Sequence, residues 1–232
     1  MHISYCDDAV FAVLAVHECG HYIHYTDDTG KYDEKELLSI SETQSIGGVV
    51  LMNDKINGYF TEITNDSTGS FLTLYTLYHQ LLLFANGTAE YLLLQDLFEH
   101  PENYTASSIA EKYLQILTNM GYDAGFSPDY QILSGVEWIN NKNIFEYPLY
   151  DPAYSIAALN AIWLWYEQET NGDGLDLYAK LICTPIADMC YTDYCVSVGL
   201  PDFTNMEAHA GIDDFLANKL EALETMAFSE ED

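Results

Sequence analysis

The sequence predicts an all-α protein, with at most a minor hairpin at Ile56–Thr64. Two observations favour this fold class. Apolar residues recur with a helical period through most of the 232-residue chain. The segments that show this period are separated by short polar breaks containing Gly, Pro or Asn. The length fits one domain or two tightly joined halves.

The first half of the chain is predicted to hold three helices. In chain order we expect an apolar, buried helix at Val10–His24, a polar loop at Thr26–Asp33, a helix at Glu34–Met52, a short strand or irregular crossing at Ile56–Thr64, and a long helix at Phe71–Glu99. Gly47 and Gly48 should weaken or bend the second helix, and Asn86-Gly87 could bend the third.

The second half begins with an amphipathic helix from Thr105 to Met120, for which Thr105 is the expected N-cap. Asp151-Pro152 starts another helix, because Pro is tolerated in a first turn, and this helix continues to about Glu169. Asn171–Gly174 is a turn. Three or four shorter helices are expected from Leu175 to Ala222.

Charge is distributed very unevenly in this chain. Seven basic residues, all Lys, stand against 37 acidic ones, for a formal net charge of -30. Such a surface repels phosphate backbones, so we predict no nucleic-acid partner. No basic cluster and no long apolar run is present, so we predict no membrane association. The start of the chain lacks the basic and apolar pattern of a signal peptide, which favours a cytoplasmic protein.

The cysteine pattern argues against a disulfide framework. The five cysteines are an odd and unevenly spaced set: Cys6, Cys19, Cys183, Cys190 and Cys195. We expect free thiols that lie mostly in the core.

One sequence motif contains residues that can bind a metal ion. His17-Glu18-Cys19-Gly20-His21 has the form HExxH, and residues four apart lie on one face of a helix. Two imidazoles in that arrangement can bind one metal ion. Glu18 lies beside them, where its carboxylate can act as general base on a metal-activated water. The motif therefore predicts a zinc site of the metallopeptidase type.

Catalytic zinc usually has three protein ligands, so another residue must complete the set. Glu42 is the only acid between Leu37 and Asn53 and lies in the segment SETQS. His24 is the alternative, but three ligands on one helix rarely give tetrahedral geometry. We favour Glu42, and mixed imidazole and carboxylate ligands indicate one Zn²⁺ per chain.

HECGHYIH, together with SETQS, resembles the zinc-binding region of the thimet oligopeptidase and oligoendopeptidase F family of zinc peptidases. Weaker similarity continues in order through LYHQLLLFANGTAEY and YPLYDPAYSIAALNAIWLW. The resemblance implies one zincin-like helical catalytic domain over residues 1–232. It corresponds to the C-terminal part of longer relatives, whose N-terminal half has no counterpart in this sequence.

The resemblance implies that Glu42 is the third ligand and that Tyr150 and Tyr154 donate hydrogen bonds to the oxyanion. The sequence departs from the family in one respect that affects substrate binding: NNKNIFEY has no His before Tyr147. The expected function is zinc-dependent endopeptidase activity on short peptides. The alternative is a weakly active or inactive zinc-binding module that binds peptides or a partner chain, such as a missing N-terminal half.

Overall fold

The computed structural model describes residues 10–27, 37–64, 68–121, 127–186, 189–203 and 210–228. All regular structure in these residues is helical, which confirms the all-α prediction. The α-helices are α1 (Val10–Asp27), α2 (Leu38–Leu51), α3 (Asn53–Thr64), α4 (Thr68–Glu99), α5 (Ala106–Asn119), α6 (Pro128–Glu137), α7 (Asn143–Glu146), α8 (Tyr150–Thr170), α9 (Gly174–Cys183), α10 (Tyr191–Val198) and α11 (Ile212–Ala227). Two 3-10 helices lie at Pro101–Asn103 and Trp138–Asn140.

The prediction of a strand or hairpin at Ile56–Thr64 is wrong, because this segment belongs to α3. The helix follows α2 with only Met52 between them, and the Ile56 amide donates to the Met52 carbonyl at 2.9 Å. Ile56 is buried, while Tyr59 and Ile63 are exposed. The apolar residues therefore follow the helical period on a helix that buries only part of its surface.

The first helix is longer and more exposed than predicted. It continues through Thr26 and Asp27, which we expected in a loop; residues 28–33 of that loop lie outside the described part. Leu14 is 40% exposed, and Tyr22 and Ile23 are also exposed. Helix α1 packs on α2 and contacts α9. An apolar sequence shows that a face can be buried but not which neighbour covers it.

Helices α2 and α4 continue through Gly47, Gly48 and Gly87. A Cβ at Gly48 would lie 2.8 Å from the Tyr178 phenol oxygen. A Cβ at Gly87 would lie 2.3 Å from the Asp151 carbonyl oxygen. Both glycines therefore allow close helix packing, and this packing offsets their low helix propensity.

Most predicted helix boundaries are confirmed. The Thr105 side chain accepts from the Ser108 amide in a capping box at the start of α5. Pro152 lies in the first turn of α8, as expected. Three helices, α9, α10 and α11, follow the 171–174 turn in the described part of the chain.

The chain divides into two compact units. Unit 1 comprises residues 1–80 and 157–232, and unit 2 comprises residues 81–156. One apolar cluster of unit 1 contains Ile40, Leu164, Leu181, Tyr194, Cys195, Val198 and Leu200. A cluster in unit 2 contains Ala89, Leu93, Leu94, Tyr113, Ile116, Leu117 and Ile144. This division does not test the prediction of one catalytic domain.

The cysteines are less buried than expected. Cys19, Cys183 and Cys190 are exposed free thiols, and Cys195 is buried. Cys6 lies outside the described residues. Composition alone cannot separate these cases, because a small thiol is tolerated on a surface as well as in a core. Among the described helices, none is long and apolar enough to cross a membrane.

Candidate metal centre

Helix α1 supplies the two histidines of the HExxH motif from successive turns. The ring centroids of His17 and His21 are 5.0 Å apart, and the rings are nearly perpendicular. The i,i+4 spacing places both side chains on one face of the helix. Each imidazole is only partly exposed, with 24% of the His17 side chain and 18% of the His21 side chain accessible. The helix therefore holds two ring nitrogens close to one point.

Helix α2 brings Glu42 to the same point. Its Oε2 atom is 3.6 Å from His17 Nε2 and 3.7 Å from His21 Nε2. The three candidate ligand atoms all lie within 4.8 Å of one another. Ligand atoms of a tetrahedral zinc ion are separated by about 3.3 Å, given bonds of roughly 2.0–2.1 Å. The observed group is thus slightly more open than a zinc-bound one.

The group of His17, His21 and Glu42 differs from the rest of the described chain in the proximity of its ligand atoms and the burial of its carboxylate. No other set of three His, Cys, Asp or Glu side chains in the described ranges brings its ligand atoms so close together. Glu42 is only 4% exposed, although it is charged in its usual state. A carboxylate this deeply buried needs favourable charge partners, and a metal ion shared with two imidazoles supplies one.

The environment of His17 suits a metal ligand. Burial lowers the pKa of His17 to about 4, with further lowering by the neighbouring His21 and His79. His17 is therefore neutral at pH 7, and a ring nitrogen with a free lone pair is the form that binds metal. The donor set, its burial and the neutral state of His17 fit a zinc ion.

Ser41 contacts the second nitrogen of one candidate ligand. Its Oγ atom lies 3.4 Å from His21 Nδ1, while His21 Nε2 faces Glu42. Metal-binding histidines usually donate their other N–H to an oxygen acceptor, which fixes the tautomer and the ring orientation. In that tautomer Ser41 accepts from Nδ1 and leaves Nε2 for the metal. The sequence analysis missed this residue, although it directly precedes Glu42.

Gly20 permits the close approach of the two helices. A Cβ at this position would lie 2.6 Å from Ser45 Cα and 2.9 Å from the Gln44 carbonyl oxygen. Any larger residue would push α1 away from the backbone that carries Glu42. The sequence analysis assigned Gly20 no role. A glycine inside a helix costs about 1 kcal/mol, and this cost was the available signal.

Helix α9 contributes two further contacts that hold α2. The Tyr178 hydroxyl donates to the Gln44 carbonyl at 2.8 Å. The Gln44 side-chain amide donates to the Leu181 carbonyl at 3.3 Å. Burial raises the pKa of Tyr178 to about 12, so its hydroxyl remains a donor at physiological pH. These contacts cross 134 and 137 residues of sequence, and no local pattern could predict them.

The structure gives less information about the other residues that the sequence predicts for the site. Glu18 is partly buried on α1. The side chain of His24, the alternative ligand, is not among those described. Tyr150 and Tyr154 lie in unit 2, where their hydroxyl oxygens are 3.2 Å apart. Their role at a metal centre in unit 1 remains a prediction.

Comparison with known proteins adds no family assignment. The chain matches no protein-family model, no curated protein and no solved structure.

Proposed function

We propose that this chain is a zinc-dependent metalloendopeptidase that hydrolyses short peptides, with one zinc ion held by His17, His21 and Glu42. The observation that carries the proposal is the convergence of one buried carboxylate from α2 on two imidazoles from α1. The HExxH order adds a fourth residue, Glu18, in the position of a general base. The resemblance to the thimet oligopeptidase and oligoendopeptidase F family points the same way.

In this proposal each residue of the site has a separate chemical role. A bound zinc ion supplies Lewis acidity, which activates water and polarises a peptide carbonyl. Glu18 accepts a proton from the attacking water and delivers it to the leaving amine. Tyr150 and Tyr154 are proposed as neutral donors to the developing oxyanion, because phenols keep their protons at pH 7. Ser41 orients His21.

A second candidate is a weakly active or inactive zinc-binding module that binds peptides or a partner chain. The exposure of apolar side chains on α1 favours it, because Leu14, Tyr22 and Ile23 lie on the helix that carries both histidines. Exposed apolar side chains on a helix are a frequent feature of interaction sites. Both candidates require the zinc ion; they differ in the rate of peptide hydrolysis.

Zinc content tests the shared part of both candidates. The protein, purified without chelator, should contain about one zinc ion per chain, as expected for a single catalytic site. Glu42→Gln and His21→Ala should each lower the zinc affinity by at least about a hundredfold, since changes outside the ligand set alone cost 10–100-fold. Elemental analysis and competition with a chromogenic chelator measure both quantities.

His100→Ala serves as the matched control, because His100 is exposed and does not belong to the ligand group. It should keep the zinc content of the unchanged protein. Equal zinc in the unchanged protein and in His21→Ala would rule out the proposed site. Chelator-sensitive cleavage of a short peptide pool then separates the two candidates: turnover supports the peptidase, and its absence supports the binding module.

A further inference from the structure

Unit 2 contains a cavity of about 420 Å³, and none of its lining residues belongs to the His17–His21–Glu42 ligand group. Its walls come from α4, α5, α6, the 3-10 helix at residues 138–140, and the start of α8. Glu137 and Asn140 are exposed at its rim, whereas Glu90 is 5% exposed. The cavity therefore reaches from solvent to a buried carboxyl group, and its volume suits a small organic ligand.

Two carboxyl groups meet in the wall of this cavity. The Asn141 side-chain amide donates to Glu90 Oε1 at 2.5 Å and also to Asp151 Oδ2. A second amide, that of Asn143, donates to Asp151 Oδ1 at 3.1 Å. Glu90 and Asp151 thus share one neutral donor. Neutral donors satisfy hydrogen bonds but leave the negative charge uncompensated.

The charges around the cavity are all of one sign. Glu137 adds a third acidic group to the lining, which contains no Lys, Arg or His. Unit 2 has two lysines, and both form ion pairs away from the cavity lining. Lys112 pairs with Asp96 at 2.5 Å, and Lys142 pairs with Glu146 at 3.0 Å. Among the residues that the structure describes, none supplies the cavity lining with a cation.

The orientation of Asn141 argues against a metal ion as the missing cation. Its Oδ1 atom accepts from the Asn143 backbone amide at 3.0 Å, and a backbone amide can only donate. This contact directs the Asn141 nitrogen, rather than its oxygen, toward the two carboxyl groups. A hard metal ion would need oxygen ligands at that place. A ligand that itself carries N–H donors is compatible with the arrangement.

Aromatic side chains form much of the remaining wall. Trp138, Tyr113, Tyr150 and Tyr154 line the same cavity. Aromatic faces attract organic cations and exclude water from them, which strengthens a nearby charge pair. Burial, together with the nearby Asp151, raises the pKa of Glu90 to about 7, against the lowering effect of its bond to Asn141. Glu90 is thus costly to ionise without a cation.

We propose that this cavity binds an organic cation, an alkylammonium or guanidinium group, with Glu90 and Asp151 as its charge partners and the aromatic side chains as its walls. Carboxylates bind the N–H donors of such a group, and the rings contact its carbon stem. The proposal does not depend on zinc, since every residue it uses lies in unit 2 and none belongs to the His17–His21–Glu42 group. Its charge partners, Glu90 and Asp151, have no part in the proposed peptide hydrolysis.

Three probes of one shape test the charge requirement. Benzylammonium, benzyl alcohol and benzoate should be titrated into the full chain by calorimetry at about pH 8, above the pKa of Glu90. We expect saturable binding of benzylammonium, and binding of the neutral and anionic probes that is at least about tenfold weaker. Because amines can also bind zinc, the titration is repeated on His21→Ala, where the same affinity is expected.

Variants then assign the binding to the cavity. Asp151→Asn and Glu90→Gln should each weaken benzylammonium binding at least about tenfold, because each removes one charge and keeps the shape. Asp129→Asn is the matched control, since Asp129 is an exposed acid of unit 2 outside the cavity lining. It should change the affinity less than about twofold. Thermal melting checks that each variant folds, and Glu137→Gln at the rim provides a milder test.

Several outcomes would overturn the proposal. These are an absence of saturable benzylammonium binding, equal binding of benzyl alcohol, an equal loss in Asp129→Asn, or a loss of binding in His21→Ala. Displacement of benzylammonium by calcium ions at stoichiometric concentration would instead make the cavity a metal site. A loss of binding in His21→Ala would place the amine at the α1–α2 centre. The other results do not bear on zinc there, so the two proposals can fail separately.

Discussion

Glu42 and Glu90 are both buried helical carboxyl groups, 4% and 5% exposed, but their neighbours differ. Glu42 faces two imidazoles, His17 and His21, from another helix. Glu90 faces an amide and a second carboxyl group, that of Asp151. In the first case the side chains together form a ligand set for a metal ion. In the second case they concentrate negative charge.

The comparison shows that burial alone does not assign a role to a carboxyl group. Imidazoles offer lone pairs when neutral, so a carboxylate beside them completes a site for Zn²⁺. A carboxyl group beside another one is driven toward its protonated form unless a cation arrives. We therefore propose the same residue type at the same depth as a metal ligand in unit 1 and as a charge partner of an organic cation in unit 2.

The largest expected effect is on catalysis. Glu18→Gln should lower peptide turnover about a thousandfold, because the amide cannot accept a proton. Zinc content should stay unchanged, since Glu18 is not in the ligand group. Turnover is measured on a fluorogenic peptide, with Glu62→Gln on the exposed face of α3 as control. Comparable turnover in the two variants would remove Glu18 from the mechanism.

The second prediction concerns the packing of α1 against α2 at Gly20. Gly20→Ala should destabilise the fold by about 3 kcal/mol and weaken zinc binding, because the new methyl group would meet the α2 backbone. Gly58→Ala is the matched control: its Cβ would have nothing within 4 Å, so that variant should be slightly more stable. Urea denaturation measures both. A neutral Gly20→Ala would mean that α1 and α2 separate at little cost.

For Glu90, we expect an effect of pH on the stability of the fold. Its pKa is raised to about 7 from 4.5, so the folded state holds a proton there that the unfolded state has released. The contribution of Glu90 to stability therefore falls as the pH rises from about 4.5 through about 7. The groups that face Glu90 are Asn141 and Asp151, and Glu137 lies in the lining of the same cavity.

Glu90→Gln removes this ionisation and keeps an acceptor for Asn141. It should be more stable than the unchanged protein by on the order of 2 kcal/mol at about pH 8, and about equally stable near pH 4. Urea denaturation at the two pH values tests this difference. A variant that is less stable at the higher pH would contradict the raised pKa.

The smallest expected effect concerns the support of His21. Ser41→Ala should weaken zinc binding about tenfold, because it removes the oxygen next to His21 Nδ1. Ser45→Ala on the same helix is the control, since the buried Ser45 hydroxyl has no hydrogen-bond partner among the described residues. Chelator competition compares the two variants. Equal affinities would show that Ser41 does not orient the imidazole.

Much of the fold was predictable because helix signals are local. The Thr105 cap, the Pro152 start of α8 and the 171–174 turn are each decided by a few adjacent residues. The segment at residues 56–64 shows the limit of such signals: its β-branched residues were compatible with a strand, and continuity with α2 made it a helix. The exposure of apolar side chains on α1 was also not predicted, because burial depends on which helices pack against α1.

The same distinction applies to the candidate site: local features were predictable from the sequence, and features that depend on packing were not. The sequence by itself determined the two histidines and Glu18, since a spacing of four residues on one helix requires no other part of the chain. It also indicated Glu42, as a single acid in an uncharged segment. Only the tertiary structure decided that Gly20 lets α2 approach and that Tyr178 holds it there. The Glu90–Asn141–Asp151 cluster joins residues 51 and 10 positions apart. Contacts of this kind depend on how helices pack, and packing is a property of the whole chain.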